Sequence, residues 1–206
     1  MKAATRKLWD LQNRREGDRV RLYQAISRTT GAKRVLYPGS FVDLAASAVF
    51  PHVRYVDMDR RAETFFNDVS GVGEIVASLG GDESHSFSFL RADYRQLDLE
   101  EQSFDLLVSL YAGFISEHCT RFLHVGGWLL VAPSHGEVAM ASIDPRYTLS
   151  GVVLSRDGDY SVRAEGLDTY LIPKQDVNIT ADLLHQLGRG ISYTKSPFAY
   201  LFRRVG

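Results

Sequence analysis

The sequence predicts an α/β protein with a doubly wound, mainly parallel, Rossmann-like sheet, helices on both faces and an antiparallel C-terminal strand. Three observations predict it. Short apolar runs alternate with helix-period segments from Val35 to Ala132. One of those runs, Phe104–Ser109, is almost continuously apolar, as expected of a strand covered on both faces. A Gly39-Ser40 turn follows the first run, and the second run ends on carboxylates, so the pair builds a βαβ unit suited to a nucleotide.

Residues 1–30 read as a basic helical segment with Val20, Leu22, Tyr23 and Ile26 as its apolar stripe. Residues 31–206 read as the α/β domain. Val35–Tyr37 is its first strand, and Asp43–Phe50 is an alanine-rich helix with Asp or Ser as its cap, stopped by Pro51. Val53–Val56 is the second strand. The helix Arg60–Val69 puts Ala62, Phe65, Phe66 and Val69 on one face. A turn at Gly71 and Gly73 leads to a helical piece, Glu74–Leu79, and His85–Leu90 is the third strand.

Phe104–Ser109 is the fourth strand. Ile115, Cys119, Phe122 and Leu123 follow helical spacing, which predicts a helix over 114–124. Gly126-Gly127 then turns the chain into a fifth strand, Trp128–Ala132. Beyond Pro133 the rhythm breaks into a hairpin-rich insertion near 147–175, with short strands at Gly151–Ser155, Tyr160–Ala164 and Thr169–Ile172. Ala181–Leu187 reads as a helix and Phe198–Arg203 as the last strand. The hairpins would serve as a substrate cover or a contact between copies.

Composition narrows the field. With 206 residues, 45% hydrophobic and 24% charged, the chain can bury a core without a disulfide or metal staple. Cys119 is the only cysteine, which excludes an intrachain disulfide and any CxxC site. The six histidines show no HExxH pairing, so no metal is expected. No run is long enough to span a membrane and the N-terminus is charged throughout, which predicts a cytoplasmic protein without membrane attachment. Residues 1–34 carry ten Lys/Arg against Asp10, Glu16 and Asp18. That cluster reads as the solvated face of an amphipathic helix, and no nucleic-acid partner is expected.

The candidate site collects at strand ends. A turn at Gly39 lets backbone approach a ligand, and a carboxylate about 20 residues on accepts ribose hydroxyls. Asp57 and Asp59 both fit, with Asp57 the better placed if the strand ends at Val56. Asp93 can accept from an exocyclic amine, with Tyr94 and Leu110 packing on a ring. Plainer roles exist: Asp57 and Asp59 can cap the helix at Arg60, and Asp93 can close a turn.

Over residues 33–133 this arrangement resembles the class I S-adenosylmethionine-dependent methyltransferases. The likeness rests on Val35-Leu36-Tyr37-Pro38-Gly39-Ser40-Phe41, on the acids at Asp57 or Asp59 and at Asp93, on Phe104-Asp105-Leu106-Leu107-Val108 and on Val125-Gly126-Gly127-Trp128-Leu129-Leu130-Val131. It implies S-adenosylmethionine as cofactor, contacted by Tyr37, Gly39, Ser40, Asp43, Asp57, Asp59, Asp93, Tyr94, Ser109 and Leu110. The sequence departs from the family at three of its positions. Tyr37 stands where the family has an acid, and Phe41 and Asp43 stand where it has glycines. Phe41 would enter the space of the methionine part, and Asp43 would substitute as partner of the cofactor's ammonium group.

Methyl transfer needs in-line approach of a nucleophile, so positioning supplies most of the acceleration. His135, after the fifth strand, is the candidate general base. The loop Ser109-Leu110-Tyr111-Ala112 lacks the Asn/Asp-Pro-Pro-aromatic sequence of DNA and protein amine methylases, which leaves a small-molecule substrate. Two other readings stand beside methyl transfer. Phe41 and the missing glycines fit a methyltransferase-like binding or regulatory protein that has lost catalysis. The acid at the end of the second strand would also suit an NAD(P)-dependent oxidoreductase, although GxGxxG and Tyr-x-x-x-Lys are absent.

Overall fold

The fold alternates strands and helices as a doubly wound, Rossmann-like α/β protein with a mainly parallel sheet and an antiparallel C-terminal strand. The computed structural model describes residues 1–16 and 19–206; the acid at Asp18 lies outside the described residues. The chain divides into two compact units, 1–97 and 98–206.

The first unit holds helices α1 (Ala3–Glu16) and α2 (Arg19–Thr30), strand β1 (Arg34–Pro38), strand β2 (His52–Asp57), helices α3 (Arg60–Phe66) and α4 (Val69–Ser78), and strand β3 (Ser86–Arg91). Its strands lie in the order β3-β2-β1 and run parallel, with Val35 opposite Val53 and Val53 opposite Phe87. Val35, Leu36 and Tyr37 are buried, as the apolar run predicts. An aromatic cluster fills the space beside the strands: Phe66 stacks on Phe89 at 4.6 Å and meets Tyr55 at 5.0 Å. Each such pair adds about 0.5–1.5 kcal/mol beyond its buried area.

Two expected helices take other forms here. In place of a helix over Asp43–Phe50 there is one short 3-10 turn, Ala45–Ala48. Its backbone closes through Ser47 N–H to Leu44 O at 2.9 Å and Val49 N–H to Ala46 O at 3.1 Å, while Ala45 N–H donates to Asp43 Oδ1 and Ser47 N–H is shared with the Tyr55 hydroxyl, both at 3.1 Å. The helix expected to reach Val69 ends at Phe66, and α4 starts at Val69 rather than at Glu74. Asp68 caps α4 by accepting from Gly71 N–H at 3.3 Å. Gly71 is therefore a helical residue, kept small because a Cβ there would lie 2.4 Å from an Asp68 carboxylate oxygen.

The second unit holds strand β4 (Phe104–Ser109), helix α5 (Ile115–Cys119), strand β5 (Leu123–Val131), helix α6 (Glu137–Ile143), strands β6 (Tyr147–Arg156) and β7 (Asp159–Arg163), helix α7 (Ala181–Leu187) and strand β8 (Ala199–Arg204). Its order is β4-β5-β8-β6-β7; β4 and β5 are parallel and the other neighbouring pairs are antiparallel. The helix expected over 114–124 stops at Cys119, and Leu123 already pairs with Phe104. Gly126-Gly127 is not a turn before the strand. The pair lies inside β5, where the register jumps from Leu123 to Trp128 while the partner strand advances only from Phe104 to Leu106. The strand expected at Thr169–Ile172 is instead part of a 3-10 turn, Leu167–Tyr170, and its following residues.

Candidate functional site

In the first unit the site is built at the carboxyl ends of β1 and β2. Gly39 takes a left-handed φ of 66°, and its N–H donates to Val56 O at 2.8 Å, which folds the turn back over β2. Ser40 is buried beside it. Phe41, without glycine's freedom, holds a left-handed φ of 46°. Its N–H donates to Asp57 Oδ2 at 2.7 Å, and the Arg61 guanidinium lies over its ring at 5.1 Å.

Asp43 is the centre of a buried polar network. Arg19, at the start of α2, donates from Nη1 to Asp43 Oδ2 at 2.7 Å, and both side chains are about 95% buried (relative exposures 4% and 5%). The Tyr37 hydroxyl donates to the same oxygen at 3.1 Å, and the Tyr23 hydroxyl lies at 3.5 Å. Burial opposes the Arg19 charge, but the Asp43 carboxylate more than offsets it and holds the guanidinium pKa above its usual value. Burial, with Asp43 beside them, raises the pKa of Tyr23 and Tyr37 well above the ordinary phenol value, so both stay neutral donors. Arg19 carries no motif signal. Only its place at the first turn of an otherwise apolar helix face, among Leu22, Tyr23 and Ile26, marks it as inward-facing.

The remaining acids of this unit are closer to the surface. Asp57 ends β2 half-buried, and its other oxygen accepts from Asp59 N–H at 2.9 Å. Asp59 caps α3 through Arg61 N–H at 2.7 Å and pairs with the Arg61 guanidinium at 2.5 Å; that hydrogen bond lowers its carboxyl pKa. Asp93 caps the 3-10 turn Tyr94–Gln96 through Arg95 N–H at 3.0 Å and pairs with the Arg95 guanidinium at 2.5 Å. Tyr94 is half-buried within that turn. Structure thus brings Tyr37, Gly39, Ser40, Asp43, Asp57 and Asp59 together around one loop, with Arg19 and Arg61 as the members the motif reading missed.

In the second unit, Ser109 ends β4 and is buried; its carbonyl accepts from Ala132 N–H at 3.0 Å. Leu110 is also buried, and its carbonyl accepts from the Ser134 hydroxyl at 3.0 Å. His135 is exposed in a left-handed turn, φ 56°, just before Gly136 at φ 85°. The perturbed acid here is Glu137, first residue of α6 and 1% exposed. Its Oε1 accepts from Ser116 N–H at 2.6 Å, while its Oε2 and the Ser116 hydroxyl have no partner among the described residues. Burial pushes the Glu137 pKa up to about 8. Among the described residues no group of three or more His, Cys, Asp or Glu is placed to hold a metal, and no helix is long and apolar enough to cross a membrane.

No protein-family description matches the chain, and no curated protein matches it in sequence. Solved structures do match. An O-methyltransferase from Bacillus cereus in complex with SAH aligns at 10% identity and a TM-score of 0.53, covering 79% of this chain and 89% of that one. The tRNA (m1A58) methyltransferase TrmI from Aquifex aeolicus aligns at 14% identity and a TM-score of 0.50, covering 90% of this chain and 69% of that one. The chain therefore has the class I methyltransferase fold, as the strand-end motifs imply.

Proposed function

We propose that this chain is a methyltransferase-fold protein that binds an adenosine-type small molecule and does not run methyl transfer from S-adenosylmethionine. The observation that carries this reading is the buried Arg19–Asp43 pair. Asp43 is the carboxylate best suited to a cofactor's ammonium group at the methionine end, and Arg19 already neutralises it at 2.7 Å. Breaking a buried pair from one side costs about 3–5 kcal/mol, because the other charge is left uncompensated. Phe41 adds a ring where the fold's enzymes have glycine. The methionine half of the cofactor therefore does not fit the residues present.

The adenosine half differs in kind. Asp59–Arg61 and Asp93–Arg95 are pairs with exposed arginines, 68% and 58%. Such surface pairs are worth about 0–1 kcal/mol, so a ligand hydroxyl or amine can replace them cheaply. Asp57 is half-exposed and already oriented by two N–H donors. The SAH bound to the Bacillus cereus neighbour supports the adenosine moiety as the shared part. A cytoplasmic binding or regulatory role belongs to this reading. His135 gives methyl transfer little support, since among the described residues no carboxylate pairs with it to orient it as a base.

A variant that opens the methionine side tests the reading. Arg19→Leu frees the Asp43 carboxylate for the ammonium group, and Phe41→Gly removes the ring. S-adenosylmethionine is expected to bind this double variant about tenfold or more tightly than it binds wild type, about 1.4 kcal/mol, with adenosine affinity unchanged. Equal S-adenosylmethionine affinities for a folded variant and wild type contradict the proposal.

A further inference from the structure

A cavity beside the strand-end site, sharing Arg61 with it, has a composition of its own. A groove of about 350 Å³ runs between α1 and α3 in the first unit, with Leu8, Leu11 and Phe65 as its apolar surface and Lys7, Arg60 and Arg61 around it. Among the described residues no acid lines it. Leu11 is 42% exposed, an apolar side chain left open to water on a helix face that should be covered. Arg61 is paired with Asp59, but Lys7 and Arg60 have no ion pair among the described residues. The walls are fixed: Asp68, the α4 cap, accepts from Thr5 Oγ1 and Lys2 N–H, both at 2.7 Å, and so anchors the start of α1.

We infer that this groove binds a free single-chain anionic amphiphile, its alkyl chain along Leu8, Leu11 and Phe65 and its carboxylate or comparable anionic head against Lys7 and Arg60. Charge and size both favour that occupant. An apolar floor without an acid among the described residues, rimmed by Lys7 and Arg60, complements a chain with an anionic end and rejects a cationic one. The volume lies at the lower end of the roughly 300–1,000 Å³ of small-ligand sites. A protein partner needs about 20–30 residues on each side, several times what lines this groove. The groove shares Arg61 with the strand-end site, where it lies over Phe41 and pairs with Asp59, so the test leaves Arg61 in place and substitutes Lys7 and Arg60.

Calorimetric titration with dodecanoate and with dodecylamine, each below its micelle concentration, tests it on the full chain. Saturable one-to-one binding of dodecanoate is expected, with none for dodecylamine. The exposed double substitution Lys7→Glu/Arg60→Glu should weaken dodecanoate by about tenfold or more, the scale of about 1.4 kcal/mol, without moving the thermal unfolding midpoint. Absence of dodecanoate binding, equal binding of the amine, or unchanged affinity in the double variant would overturn the inference. So would binding to phosphatidylglycerol vesicles without binding of free dodecanoate, which would make the groove a membrane contact.

Discussion

Glu137 gives the protein a dependence of stability on pH that one substitution should erase. Its carboxyl is 1% exposed, with its pKa raised to about 8 from 4.5 because burial penalises the anion. Between those values the folded state binds more protons than the unfolded state, so stability falls as pH rises through the window and levels off above about 8. At about 1.4 kcal/mol for each pH unit the whole window amounts to at most roughly 5 kcal/mol, and the interval from pH 6 to pH 8, whose upper end reaches the folded-state pKa where the slope has halved, to about 2 kcal/mol. With a urea slope of about 1–3 kcal/mol per molar, that interval moves the midpoint by roughly 1 M. Glu137→Gln keeps the shape and an oxygen to accept from Ser116 N–H at 2.6 Å, but cannot ionise. Urea unfolding at pH 6 and pH 8 is the assay. Wild type should lose about 2 kcal/mol more than the variant over that interval, having already lost about 2 kcal/mol between pH 4.5 and pH 6. Parallel losses in both proteins would refute the reasoning, since Glu137 would then titrate alike in the folded and unfolded chain.

Other outcomes follow from the same physics. Arg19→Leu alone leaves the Asp43 charge buried, with only the tyrosine hydroxyls and the Ala45 N–H on it, and should cost about 3–5 kcal/mol in urea unfolding. Adding Asp43→Gly should recover much of that loss. Gly136→Ala should destabilise by about 1–3 kcal/mol, because φ is 85° and the new Cβ would meet the Phe114 ring at 2.9 Å; a differential-scanning midpoint within error of wild type would contradict this. Cys119 is fully buried and its thiol is pushed up to about 12, by burial first and then by Glu137. A disulfide reagent at pH 8 should therefore leave the native protein unlabelled and react fully once denaturant is added.

Most of the strands were legible because their signal is local, although Thr169–Ile172, read as a strand, falls on a 3-10 turn. Phe104–Ser109 appears in the structure with the bounds its apolar run predicts, and Ala181–Leu187 likewise with its Thr180 cap. What was not legible is where side chains override local preference. Ala45–Ala48 has the alanines of a helix, yet it forms one 3-10 turn whose Ala45 and Ser47 N–H groups also meet Asp43 and the Tyr55 hydroxyl. Gly71 reads as a turn residue, yet the Asp68 cap makes it part of α4. Gly126-Gly127 is absorbed as an irregularity inside β5 because pairing resumes on both sides of it.

The site followed the same division. Gly39, Asp57 and Asp59 fall at the ends of β1 and β2 as their spacing implies, since sequence separation fixes which end of a parallel strand a residue occupies. The partners of Asp43 did not announce themselves. Arg19 is 24 residues away and belongs to a helix that composition describes only as basic, so its burial depends on packing that no short motif records. Glu137 has no motif either; its raised pKa comes from being enclosed, which is a property of the folded unit.

Calorimetric titration of the wild-type protein with adenosine and with S-adenosylmethionine tests the central claim most directly. The Arg19–Asp43 pair predicts that both bind with similar affinity, so that the methionine tail adds nothing, and that Asp57→Ala abolishes both. S-adenosylmethionine binding about tenfold or more tightly than adenosine would contradict the account, because its ammonium and carboxylate would then have found partners that the buried pair is held to deny them.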